Sequence, residues 1–265
     1  MTHRTRNPHI ADHRLVDLSA ARRVLVFGDV HGSLAVLIAK LAELDFDAAA
    51  GDVAICLGDW MDRGPDGLVE VRDFLAANPA ILWTRGNHED ILRNACHEGG
   101  RHDRDQSAGI MIRNGGSWIL DHLEEHGEND YPDADAVAFS DMLNAAPIAM
   151  TVLTPGGNRI GVVHAAVPAD SWDDMVAALE GPDPVREDMA FHCMWDRKAA
   201  DMAIGSAGHG TRLDDWNVPG IDHVFYGHTR TGTQPVRHGN QSWIDTGAYR
   251  TGILTMVDVD AWIAG

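Results

Sequence analysis

Cysteine is scarce, three in 265 residues, and Cys56, Cys96 and Cys193 stand too far apart for a Cys-x-x-Cys pair. Neither a disulfide framework nor a thiolate zinc site is indicated, and a reducing, cytoplasmic setting is expected. Basic residues are also few: 21 Lys and Arg face 40 Asp and Glu, a formal net charge of -19. So acidic a chain repels nucleic acid and anionic membrane, and neither is an expected partner. No uninterrupted apolar run is long enough to cross a bilayer, and the polar residues 1–14 lack the apolar core of a signal peptide. Internal repeats and low-complexity tracts are missing as well. One large α/β domain is a size this chain can fill.

What is present is a recurring unit. The apolar residues 24–27 end in a turn over 28–33, and Leu34, Leu37, Ile38, Leu41 and Leu44 then form the stripe of an amphipathic helix. Residues 53–57 run into a loop at Asp59 and a helix over about 67–77, with Leu68, Val71 and Leu75 inward. A third strand, 81–83, opens into Arg85-Gly86-Asn87-His88-Glu89 and another helix. Successive strand-loop-helix units imply a mainly parallel sheet with its loops gathered on one edge. Residues 1–20 carry His and Arg without periodicity and read as a loose N-terminal arm before a domain over 21–265. Over 97–146 the pattern changes to charged, Gly-broken helical pieces, including His102-Asp103-Arg104-Asp105 and Glu124-Glu125-His126-Gly127-Glu128. These read as an inserted helical cap whose charge runs are solvated. Strands return at 148–153 and 159–163, two or so helices cover 171–198, and strands over 224–226, 242–245 and 254–259 follow.

Chemistry concentrates where the apolar runs stop. Asp29 and His31, Asp59, Asn87 and His88, His164, and His228 each stand just beyond such a run. One histidine there is an ordinary loop residue, but five strands ending this way are a pattern. Parallel strands align their carboxyl ends, so these loops converge. Buried carboxylates and neutral imidazoles remain uncompensated unless cations join them. Asp29 and Asp59 supply about -2, so two divalent ions would leave about +2, or about +1 with a shared hydroxide, which suits a phosphate monoester dianion. Oxygen and nitrogen ligands without thiolate suit manganese, with iron, zinc or magnesium as alternatives.

Gly28-Asp29-Val30-His31-Gly32, Gly58-Asp59 with Asp62-Arg63-Gly64, Gly86-Asn87-His88-Glu89, His164 and Gly227-His228 together resemble the ordered signature of calcineurin-like metallophosphoesterases. The Asp62-Arg63-Gly64 ending is similar to the phosphoprotein phosphatase branch, in particular its bacterial and lambda phage serine/threonine phosphatases. Asn114-Gly115-Gly116-Ser117-Trp118, Trp195-Asp196-Arg197 and Ile244-Asp245-Thr246-Gly247-Ala248 extend the likeness, which covers about residues 22–260. The resemblance implies a four-layer α-β-β-α sandwich with two divalent metals. Asp29, His31 and Asp59 would hold one metal, and Asp59, Asn87, His164 and His228 the other. His88, oriented by Asp62, would be the general acid, and Arg63 and Arg197 would clamp the phosphoryl oxygens. Hydrolysis of phosphoserine and phosphothreonine in proteins by direct attack of a metal-bridging hydroxide is the implied activity. Symmetrical hydrolysis of diadenosine tetraphosphate, or of another small phosphate ester, is the alternative. Gly227-His228-Thr229-Arg230 lacks the second imidazole of many nucleases and phosphodiesterases in this superfamily, which favours the phosphatase branch. Trp60-Met61 and Ala165-Ala166 depart from common pairs, and a changed rim is expected there.

Overall fold

The computed structural model describes residues 12–97, 104–118, 120, 124, 134–207 and 216–265. Among the described residues ten strands make two sheets. The smaller runs β10 (Met256–Asp258), β2 (Arg23–Phe27), β3 (Asp52–Cys56), β4 (Ile81–Trp83). The larger runs β1 (His13–Asp17), β5 (Ala149–Leu153), β6 (Arg159–Val163), β7 (His223–Tyr226), β9 (Gln241–Trp243), β8 (Val236–His238). The pairs β2/β3, β3/β4, β1/β5, β6/β7 and β7/β9 are parallel, whereas β10/β2, β5/β6 and β8/β9 are antiparallel.

The period-2 alternation of side chains places four layers. Val24 and Val26 of β2, with Ile55 of β3, meet Met150, Val152, Ile160, Val162 and Phe225 between the sheets. Leu25 and Phe27, pointing the other way, join Ala54 and Cys56 under α1 (Leu34–Glu43), α2 (Leu68–Ala77), α3 (Asn87–Cys96), α4 (Arg104–Arg113) and α5 (Ala134–Asn144). On the far side, Ala149, Val163, Val224, Tyr226 and Trp243 pack under α6 (Trp172–Leu179), α7 (Val185–Trp195) and α8 (Lys198–Ala207). Two short helices, α9 (Ala248–Thr251) and α10 (Val259–Ala264), complete the chain. The α-β-β-α sandwich implied by the motifs is thus observed, and the single mainly parallel sheet read from periodicity is corrected to two mixed sheets.

The loose arm also needs correction in part. His13–Asp17 is an edge strand in register with β5, His13 opposite Ala149 and Asp17 opposite Leu153. Its carbonyl neighbour Asp12 O accepts from Ile148 N and Ala149 N at 2.8 and 3.1 Å. The strand shows no apolar alternation because an edge strand buries little; Leu15 is exposed. Residues 1–11 lie outside the described residues. Within 97–146, α4 packs on α3 and α5 on α3 and α2, while the two charge runs named above fall largely outside the described residues. No helix among the described residues is long and apolar enough to cross a membrane.

Candidate metal centre

All the strands that carry the candidate residues end on the same side. β2 leads to Asp29 and His31, β3 to Asp59, Asp62 and Arg63, β4 to Asn87 and His88, β6 to His164, and β7 to His228. The backbone pays a conformational cost to present them. Six described non-glycine residues have positive φ, and five of them are His31 (45°), Asp59 (55°), Asp62 (71°), Arg63 (70°) and His228 (64°). Side chains disfavour this region by roughly 1–2 kcal/mol each, and such costs gather where geometry serves a site. Two glycines are required by close approach. A Cβ on Gly86 would stand 2.2 Å from Asp59 Oδ1, and one on Gly227 would stand 2.1 Å from Asp29 Oδ1. The loops are further tied by Glu89, whose buried carboxylate accepts from the backbone N–H of Asp59 (2.9 Å), Trp60 (2.9 Å) and Gly86 (2.7 Å).

Asp59 lies in the middle. Its Oδ2 is 3.5 Å from His31 Nε2, and its Oδ1 is 3.4 Å from His164 Nε2. His31 donates from Nδ1 to Met61 O at 3.0 Å and His164 from Nδ1 to Leu57 O at 2.7 Å, so each turns Nε2 toward Asp59. His228 Nε2 donates to Trp195 O at 3.2 Å, which leaves Nδ1 facing inward. Around His164 Nε2 stand Asn87 Oδ1 and His228 Nδ1, each at 3.1 Å. Lone pairs therefore converge at a point that a proton or a metal cation must satisfy. Asp29 lies on the other side of His31, 3.8 Å from its Nε2, and accepts from His228 N at 3.0 Å. His31, Asp59 and His88 offer ligand atoms within 4.8 Å of one another, as do Asp59, His164 and His228.

Burial sets the charge states. It pushes the Asp29 carboxyl well above the usual carboxylate range, and the neighbouring charge of Asp245 pushes the same way. At Asp59 burial acts upward too, but His164, His88 and His31 outweigh it and hold the group well below that range. His31 is held well below its ordinary value by burial and then by His88, and His228 is lowered to about 2 by burial with His164 and Arg197 adding to it. His164 goes the other way: burial is overcome by Asp59, and it rises to about 9. A neutral His31 and His228 beside an ionised Asp59 form a donor set that fits a divalent ion of intermediate hardness.

His88 takes a different posture. Its Nδ1 meets Asp62 Oδ2 at 2.5 Å, and Asp62 Oδ1 accepts from Trp118 Nε1 at 2.9 Å. Its Nε2 accepts from Arg63 Nη2 at 2.8 Å, while Arg63 Nη1 donates to His31 Nε2 at 2.6 Å. Arg63 is held by Asn114 O (3.2 Å) and lies 5.4 Å from the Tyr249 ring centroid. Arg197 donates to His228 O at 2.8 Å and to Thr229 Oγ1 at 3.1 Å. Arg63 and Arg197 line one cavity of about 300 Å³.

Every residue singled out from the sequence is therefore in one cluster. The supporting roles of Glu89, Trp118 and Tyr249 were missed, although Glu89 and Trp118 lie inside the quoted motifs. Asp245, buried beside Asp29, was likewise quoted without a role. The expectation for Trp60 and Met61 is corrected: both are core residues, Trp60 packing on Phe27, Phe74 and Trp83. Ala165 and Ala166 are buried too.

Residues 22–231 match the family described as calcineurin-like phosphoesterase. The chain is 27% identical to serine/threonine-protein phosphatase 1 of Salmonella typhimurium over 90% of this chain and 92% of that one. It is 41% identical to the symmetrical bis(5'-nucleosyl)-tetraphosphatase of Yersinia enterocolitica, over 24% of this chain and 22% of that one. A solved protein serine/threonine phosphatase from Saccharomyces cerevisiae shares the fold with a TM-score of 0.52, at 13% identity over 89% of this chain and 71% of that one.

Proposed function

Because the chain belongs to the calcineurin-like phosphoesterase family, we propose that it is a metal-dependent phosphatase hydrolysing phosphoserine and phosphothreonine monoesters in proteins. In this reading Asp29, His31 and Asp59 hold one divalent ion, and Asp59, Asn87, His164 and His228 hold a second, manganese being the first choice. Such ions polarise phosphoryl oxygens and lower the pKa of water to roughly 7, which supplies a nucleophile near neutral pH. The remaining work falls to the protein. Arg63 and Arg197 grip the phosphoryl oxygens by charge-assisted hydrogen bonds. The lone pair of His31 Nε2 serves one partner at a time, so Arg63 and a metal compete for it. Arg63 turns to phosphate when His31 is otherwise engaged. Once Arg63 has turned away, His88 Nε2 is free to take up a proton from solvent and deliver it to the leaving oxygen, while Asp62 holds the opposite nitrogen and Trp118 holds Asp62.

The observation that carries this reading is the Trp118–Asp62–His88 chain of hydrogen bonds, because an oriented acid matters most for an alkoxide leaving group such as serine. Hydrolysis of diadenosine tetraphosphate is the second reading, favoured by the 64-residue match to a tetraphosphatase. The test is a panel of phosphopeptides and nucleotides assayed in a metal-depleted sample before and after manganese is restored. Phosphopeptide hydrolysis that depends on added metal and disappears in Asp59→Asn supports the proposal. Activity in a sample shown by metal analysis to be depleted refutes the metal dependence, and turnover of nucleotides alone refutes the substrate.

A further inference from the structure

The cavity at the centre is lined by more guanidinium groups than one phosphate needs. Besides Arg63 and Arg197 it has Arg113, from the last turn of α4, and Arg230, two residues beyond His228. No Asp or Glu among the described residues lines it. Arg63 and Arg197 are engaged by His31, His88, His228 O and Thr229. Arg113 and Arg230 are exposed and have no carboxylate partner among the described residues. In a chain of net charge -19, four cations on one small cavity repel one another unless an anion joins them.

Arg230 also runs close over a glycine: a Cβ on Gly247 would stand 2.9 Å from Arg230 Cδ. The small residue at 247 thus lets this side chain lie along the mouth. The volume of about 300 Å³ reaches the lower bound for a ligand of drug size, so it exceeds what a single phosphoryl group fills.

We propose that Arg113 and Arg230 form a second anion subsite, so that the favoured substrate is a phosphopeptide with an acidic group adjacent to the phosphorylated side chain. This rests on the phosphatase reading above. A carboxylate or second phosphate a few ångströms from the scissile group neutralises the two outer cations while Arg63 and Arg197 hold the first. A nucleoside polyphosphate would present similar charge, but a base seeks a free aromatic face. Tyr249, the aromatic ring among the described lining residues apart from His228, already has Arg63 5.4 Å from its centroid and stands edge-to-face with His31 at 5.2 Å. The lining therefore favours a peptide acid over a nucleotide.

The experiment uses the full chain with manganese and two phosphoserine peptides that differ only in Glu against Gln beside the phosphoserine, with diadenosine tetraphosphate as a third substrate. Parent enzyme should favour the Glu peptide about tenfold in kcat/KM, through KM, since an exposed charge pair is worth about threefold per arginine. Arg113→Gln and Arg230→Gln should each lower the Glu-to-Gln ratio about threefold, and the double variant should bring it near one. Arg113→Lys should restore part of it, and raising the salt to about 0.5 M should shrink the parent's preference. A parent ratio near one, or a double variant that keeps the parent ratio, overturns the subsite while leaving the phosphatase reading intact. Hydrolysis of diadenosine tetraphosphate with neither peptide turned over overturns both.

Discussion

Replacing His88 by Asn separates proton donation from every other role the residue could have. His88 is fully buried, and its backbone N–H, which a substitution leaves in place, donates to Asp59 Oδ1 at 3.0 Å. The Asn amide can donate to Asp62 in place of Nδ1, so the loop that presents Asn87 should keep its shape. What disappears is Nε2, which accepts from Arg63 in this structure and can carry the acidic proton only once Arg63 has turned to phosphate. General acid catalysis contributes about 10²- to 10⁴-fold, equal to about 3–5 kcal/mol of barrier. That loss should fall in full on a serine alkoxide and much less on a nitrophenolate, which departs with little help. The assay is kcat on a phosphoserine peptide and on an aryl phosphate for parent and His88→Asn, with metal content measured beside it. Asp62→Asn should repeat the pattern more weakly, and Trp118→Phe, which removes one hydrogen bond from Asp62, by about 3- to 10-fold. Equal losses on both leaving groups would refute the reasoning. So would loss of a metal, because His88 stands with His31 and Asp59 in one of the potential metal-binding groups among the described residues.

The site was legible because its chemistry sits in short motifs at strand ends. Asp29, Asp59, Asn87, His164 and His228 each stand within a few residues of the end of an apolar run, so periodicity and residue type point to the same loops. The partition into two sheets was not. Strand periodicity marks β6 and β7 but not their pairing across some sixty residues, where Ile160 lies opposite His223. β1 escaped because an edge strand with only Leu15 and Val16 between polar residues is stabilised by ladder hydrogen bonds, which leave no mark on side-chain pattern. Trp60 and Met61 misled for the opposite reason: they follow Asp59 in a turn, where exposure is the ordinary expectation, yet both are buried in the core between the smaller sheet and its helices. The roles of Glu89 and Trp118 depend on contacts 29 and 56 residues away, which no local spacing reveals. Arg113 and Arg230 are single arginines in unremarkable contexts until the fold places them on one cavity.

Three further outcomes are expected. Arg63→Ala and Arg197→Ala should each lower kcat/KM by an order of magnitude or more, about 2 kcal/mol for a charge-assisted contact. Metal content, measured in parallel, should be retained in both, and it should rise in Arg63→Ala if the guanidinium competes for His31; a loss would assign Arg63 to metal retention. Gly227→Ala should displace the Asp29 carboxylate, 2.1 Å from the added Cβ, and reduce kcat by about 100-fold with loss of metal; full activity would mean the loop yields. The last concerns Asp52, whose buried carboxylate accepts from Arg22 Nε at 2.7 Å, Arg23 Nη2 at 2.9 Å and Asp47 N at 2.9 Å. The Arg22 hydrogen bond, working against burial and joined by Arg23, holds this group well below the usual carboxylate range. A depressed folded-state value means that the stabilisation is fully present above the unfolded value of about 3.9 and is lost as pH falls toward the folded one. Arg22 is 45% exposed, so solvent screening keeps the cost of Asp52→Asn to about 1 kcal/mol at pH 7. Denaturant midpoints of parent and variant should therefore differ by the same amount from pH 7 down to about 5 and converge only below about 4. A gap that closes by pH 6, or widens in acid, would show that the arginines do not hold Asp52 ionised.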